Sequence, residues 1–113
     1  DLRGNILIGA SWEGYVIEQI AQCLPGSISM FFYRTHNGAE VDLVLVKKNK
    51  VQAAIEIKVS AQAQVARGFY ESIEVLNPTK KFVISPYGDT YPGKNNTIHC
   101  SLKHFIEEEI QKI

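Results

Sequence analysis

With 113 residues, 45% hydrophobic and 10% aromatic, the chain is long enough for one modest core and too short for two. Twelve Lys+Arg offset twelve Asp+Glu, so no global field draws it toward nucleic acid or an anionic membrane, and any DNA affinity must be local. Its two cysteines, Cys23 and Cys100, lack CxxC or Cys/His spacing, which argues against a structural zinc site and a disulfide framework; both read as reduced, buried, intracellular thiols.

From Ile8 to Leu24 the apolar residues Trp12, Val16, Ile17, Ile20, Ala21 and Leu24 recur every three or four positions, which predicts an amphipathic helix with Ser11 as a candidate cap. Pro25-Gly26 ends it, Ile28 to Arg34 reads as a first strand, and His36-Asn37-Gly38 as a turn. Glu40 to Val46 and Val51 to Val59 are β-prone and separated by Lys47-Lys48-Asn49-Lys50, so they should pair as an antiparallel hairpin. Period-two spacing puts Glu40, Asp42 and Val44 on one face of the first strand, and Val41, Leu43 and Leu45 on the other. In the second, Glu56 and Lys58 share a face opposite Ile55, Ile57 and Val59. Val65, Phe69, Ile73 and Leu76 stripe a helix between Ala61 and Leu76, with Gly68 its weak point and Asn77-Pro78 its stop. A short strand over Lys81 to Ser85, a surface loop over Pro86 to Asn96 and a strand over Thr97 to Cys100 follow. Ser101 then caps a closing helix that buries Leu102, Phe105, Ile106 and Ile110. The order is α-β-β-β-α-β-β-α, without repeats or low-complexity segments.

A hairpin centred on Asn49 pairs residues whose numbers sum to 98 and sets Asp42 across from Glu56; centring it half a residue away makes them diagonal neighbours. Either register brings two carboxylates close together on one face, with Lys58 one pleat from Glu56. Opposed carboxylates repel, so a sheet keeps them where a cation, water or hydrogen-bond donor shares the site. Mg²⁺ (or Mn²⁺) suits such hard oxygen ligands. Asp42, Glu56 and the backbone carbonyl of Ile57 would hold it, with Glu13 on the first helix as a candidate further ligand, directly or through water. The expected chemistry is phosphodiester hydrolysis, in which the ion activates a water and Lys58 orients that water or stabilises developing charge.

Gly38-Ala39-Glu40-Val41-Asp42 followed by Ile55-Glu56-Ile57-Lys58 resembles the D…ExK signature of the PD-(D/E)XK superfamily, which includes restriction endonucleases and Holliday-junction resolvases. That resemblance implies an α/β, restriction-endonuclease-like fold with a central mixed sheet flanked by helices, and DNA as substrate. More narrowly, Trp12-Glu13-Gly14-Tyr15-Val16-Ile17-Glu18, Phe32-Tyr33-Arg34, the Asp42 segment, Glu56-Ile57-Lys58 and the closing Phe105 and Ile106 resemble the domain of unknown function found C-terminal to the ATPase module of many prokaryotic AAA-type ATPases. It covers nearly the whole chain and implies a single domain over 1–113, cut from a longer ATPase that supplies motion or regulation. The opening on Asp1 and the lone Met30 agree with a fragment. No Pro precedes Asp42, and Gln64 and Tyr70 are six apart, so the Gln-x-x-x-Tyr motif of RecB-like members is absent.

The alternative keeps the fold as a non-catalytic regulatory or interaction module of that ATPase; the near-zero net charge favours it, and the intact Asp42, Glu56 and Lys58 favour catalysis. Plainer explanations also exist for single residues. Asp42, Glu56 and Lys58 are also explained as a solvated face with cross-strand ion pairing, against which the apolar or small Val44 and Ala54 on that face weigh. Glu13 in a first helical turn is favoured by the macrodipole, Glu18 reads as surface, and Glu40 is explained either as support for the site or by pairing with Arg34. Lys47, Lys48 and Lys50 make a soluble turn; His36, His99 and His104 have no metal spacing and receive no role. Trp12, Tyr15, Phe31, Phe32, Tyr33 and Phe69 read as core or interface aromatics rather than a base-stacking platform. No apolar run approaches the roughly twenty residues of a membrane helix and nothing at the start resembles a signal peptide, so no membrane partner and a cytoplasmic setting are expected.

Overall fold

The computed structural model of the chain describes residues 2–60 and 64–113, and the side chains of the first helix from Trp12 onward. Helix α1 spans Leu2–Cys23, longer at its start than the apolar spacing predicts. Gly4 and Gly9 weaken the helical signal of the first turns. Ser11 therefore lies inside the helix and does not cap it, and Glu13 sits midway along α1, where the macrodipole gives no reason for a carboxylate. Val16 and Ile20, one turn apart, are fully buried, whereas Cys23 is exposed rather than buried because it falls on the solvent side of the last turn.

Strands β1 (Ser29–Arg34), β2 (Glu40–Lys47) and β3 (Lys50–Ile57) form an antiparallel meander. Gly38 turns the first hairpin with φ +84°, its amide bonded to the Thr35 carbonyl at 3.1 Å. The second hairpin has a two-residue loop, Lys48-Asn49, both with positive φ as a type I′ turn demands. That loop pairs Lys47 with Lys50 and Val46 with Val51; an irregularity beyond Val46 then shifts the register, so that Leu45 faces Ala53 and Leu43 faces Ile55. Both expected registers thus occur in one hairpin. A second irregularity, where β1 steps from Phe31↔Val44 to Tyr33↔Val41, breaks strict alternation in β2. Val41 consequently packs with Val44 instead of with Leu43 and Leu45.

Helix α2 (Arg67–Leu76) crosses from β3 to β4 (Lys80–Ser85), which lies parallel to β3. Residues 61–63 of the predicted helix lie outside the described residues; 64–66 are not helical. Asn77 closes α2 in a left-handed conformation (φ 47°), its amide bonded to the Ile73 carbonyl. Gly68 has a packing role: a Cβ there would stand 2.9 Å from the Ala39 Cα, so α2 docks closely on the start of β2. A two-residue strand β5 (Tyr91–Pro92) interrupts the predicted loop, pairing antiparallel with β6 (Ile98–Ser101), which is parallel to β4. Ser101 accepts the His104 amide and opens the closing helix α3 (Leu102–His104). A π turn over Phe105–Glu109 and a tight turn over Ile110–Lys112 extend it, which spaces buried Phe105 and Ile110 five residues apart.

The result is a mixed six-stranded sheet in the order β1-β2-β3-β4-β6-β5, flanked by helices as the sequence predicts. One face, with Leu43, Leu45, Ile55, Phe82 and Ile84, packs on α1 and the closing helix; Phe82 meets Phe105 edge-to-face at 5.0 Å. The other, with Val41, Val44, Ala54 and Val83, packs on Phe69 and Ile73 of α2. The ends of β3, β4 and β6 and the start of β2 share one edge of the sheet. Among the described residues no helix is long and apolar enough to cross a membrane.

Candidate functional site

Asp42 occupies that edge. Its Oδ2 accepts the Ile57 amide at 2.7 Å, so the carboxylate replaces a ladder bond where the β2–β3 pairing ends. The Lys58 amide, one residue on, donates to the Ile84 carbonyl in β4 at 2.8 Å. Successive residues of a strand direct their backbone groups to opposite sides, so the Ile57 carbonyl faces the Asp42 side, where a ligand role requires it.

Two more carboxyl groups gather on Asp42. Burial, then the Asp42 carboxylate, push Glu56 up to about 8; the Ala66 amide just before α2, 3.4 Å from Glu56 Oε2, pulls the other way. Glu13 is raised as well, by burial first and then by Asp42 and Glu40. Glu40 itself pairs across the strands with Arg34 at 3.0 Å, an exposed contact of little energetic weight that accounts for it without chemistry.

Lys58 is 7% exposed, and its carbonyl accepts the Trp12 indole N–H at 2.8 Å, tying α1 to the end of β3. The four polar groups do not share one cleft. Glu13 and Asp42 line one of about 610 Å³ with Phe32, Tyr33, Arg34 and Glu40. Lys58 lines a neighbouring one of about 830 Å³ with Gln64, Tyr70, Lys94, Asn95 and His99. Glu56 joins them electrostatically, lying beside Asp42 and raising the Tyr70 phenol, whose largest perturbation is burial.

Among the described residues no three His, Cys, Asp or Glu side chains form a ready-made metal cage. The donor set nevertheless fits a hard cation, since Mg²⁺ keeps several waters and takes one or two carboxylates. Two carboxyl groups raised by a shared neighbour are also those a cation would relieve.

The residues of the larger cleft escaped the sequence. Tyr70, Lys94 and His99 have no motif spacing; the crossover α2 and the β6–β4 pairing bring them to Lys58. Gln64 and Tyr70, too far apart for the Gln-x-x-x-Tyr pattern, still line the same cleft. A signal existed for His99 alone, as an imidazole inside the short apolar segment Ile98–Cys100.

The chain belongs to the family described as domain of unknown function DUF4143, which it matches over residues 8–105. It is 29% identical over 97 residues to an uncharacterized protein of Mycobacterium tuberculosis (strain H37Rv) and, equally, to one of Mycobacterium bovis. Those matches cover 86% of this chain and 22% of each relative, so the chain spans about a fifth of the length of the curated proteins it resembles. No solved structure matches it.

Proposed function

We propose that the domain is a metal-dependent phosphodiesterase acting on DNA, with a restriction-endonuclease-like arrangement of the PD-(D/E)XK kind, attached to an ATPase module and working in the cytoplasm. The observation that carries the reading is the convergence of Glu13 and Glu56 on Asp42 at the edge of the sheet where β3 delivers Lys58. Asp42, Glu56 and the Ile57 carbonyl hold the cation, and Glu13 reaches it directly or through water. Mg²⁺ or Mn²⁺ supplies an activated water and charge neutralisation at the phosphoryl group. In the net step the water oxygen would bond to phosphorus and give up a proton to solvent, while the bond to the leaving oxygen breaks and that oxygen takes a proton from solvent. The Lys58 ammonium stabilises the negative charge that builds on the phosphoryl oxygens. Trp12, bonded to the Lys58 carbonyl, positions that backbone.

The test has two arms, metal binding by calorimetry and Mn²⁺-dependent cleavage of a labelled DNA duplex. The chain should bind Mg²⁺ or Mn²⁺ and Asp42→Ala should not; equal, negligible heats for both remove the reading. Lys58→Ala should keep the metal and lower cleavage by about 10²-fold or more, the scale of losing one charge-stabilising donor. A loss of metal instead would show its role misassigned.

A second reading, a regulatory or interaction module with lapsed cleavage, is favoured by the separate clefts of Asp42 and Lys58. Exposed Phe31 and Phe32 on the edge strand β1 also favour it. Metal binding without cleavage by the intact polypeptide would select it.

A further inference from the structure

His99 and Thr97 are the two residues whose buried side-chain polar atoms lack a hydrogen-bond partner among the described residues, and His99 alone of the two lines the large cleft. His99 is 7% exposed, and among the described residues its buried Nδ1 has no hydrogen-bond partner, an unfavourable arrangement. Its surroundings hold it in place: the ring stacks on Tyr91 at 4.6 Å, and a Cβ on Gly93 would collide with Nε2. The imidazole lines the 830 Å³ cleft together with Lys58 and Lys94, and the Lys94 ammonium lies over the Tyr70 ring, 4.9 Å from its centre. Arg67 and Glu71, also at this cleft, pair with each other at 3.0 Å, so the Lys94 ammonium is the cation that this cleft holds against an aromatic ring rather than a carboxylate.

We infer that His99, Lys94 and Tyr70 form a phosphodiester-binding seat beside the acidic cluster, which holds the backbone of a nucleic-acid strand one or more phosphates away from the one at Asp42. Burial and the nearby Lys58 lower the His99 pKa, so the ring stays neutral; its cleft-lining edge, not the enclosed Nδ1, meets the phosphate while Lys94 supplies the charge. Tyr70 gives the strand a hydroxyl and holds the Lys94 ammonium over its ring. The seat provides the local attraction that a chain of zero net charge otherwise lacks. For the identity of the strand it rests on the proposed nuclease function; the anion chemistry stands without it.

The test is NMR of the imidazole resonances of the chain in EDTA, titrated with the dinucleotide d(TpT) and, separately, with inorganic phosphate. The expected result is a saturable shift of His99 on adding d(TpT), with His36 and His104 unmoved. Lys94→Gln should weaken that binding by about fivefold, the upper range for one exposed ionic contact, while Lys48→Gln, in the distant β2–β3 turn, leaves it unchanged. No His99 shift, or an undiminished one in Lys94→Gln, overturns the seat. Binding of inorganic phosphate but not of d(TpT) assigns it to a free anion and overturns the strand assignment. Because metal is absent throughout, failure of the cation site at Asp42 leaves this outcome untouched.

Discussion

At neutral pH a carboxyl group raised to about 8 still carries its proton, whereas the same group in the unfolded chain, at its ordinary 4.5, has lost it. Between those values folded Glu56 binds more protons than unfolded Glu56, so its effect on stability works against the fold as pH rises. Without metal, the urea midpoint should therefore fall from pH 5 to pH 8, and Glu56→Gln should flatten that fall. A midpoint rising with pH equally in both proteins would contradict the burial assigned to Glu56. Burial sets most of this behaviour and Asp42 adds to it, because it lies against both raised carboxyl groups while its own oxygen takes the Ile57 amide. The closeness of Asp42 and Glu56 was legible in the sequence because hairpin pairing is a local rule, whereas the opening of Lys58 into a neighbouring cleft was not. Tyr70, Lys94 and His99 were not, because residues about 24 and 29 positions apart meet there through the crossover.

Among the elements, the β2–β3 hairpin does most to place the chemistry, and its turn carries a cost. Lys48 adopts φ 53°, a conformation an L residue with a long side chain rarely takes. Replacing Lys48-Asn49 by Asn-Gly should stabilise the chain by about 0.5–1 kcal/mol in denaturant melts, since that pair is preferred in type I′ loops. A loss would show that the loop geometry is wrong. The docking of α2 is tested at Gly68, where Gly68→Ala should destabilise by about 1–3 kcal/mol because the added methyl meets the Ala39 backbone. The sequence shows Gly68 as a propensity defect alone; its close approach to Ala39 is a tertiary fact. Likewise, the first turns of α1 are masked by Gly4 and Gly9, and the register shift beyond Val46 has no composition signal. The Asn77 stop and the Ser101 cap were legible because their chemistry is local.

Across the whole molecule, one sheet separates two apolar layers, and the candidate site lies where β2 and β3 reach its edge. Phe82 and Phe105 pin the closing helix to the first layer; Phe82→Ala should cost about 3–5 kcal/mol, a large share of the roughly 5–15 kcal/mol that holds a domain folded. The acidic cluster is kept against that narrow margin, and the proposed cation would offset the repulsion among its carboxylates. If so, metal must displace the Glu56 proton. Calorimetric titration of Mn²⁺ at pH 7 in two buffers of different ionisation enthalpy measures that exchange directly. The proposed site predicts release of close to one proton per ion bound, abolished in Glu56→Gln. Binding with no proton release, or the same release in both proteins, would contradict a cation site built on Asp42 and Glu56.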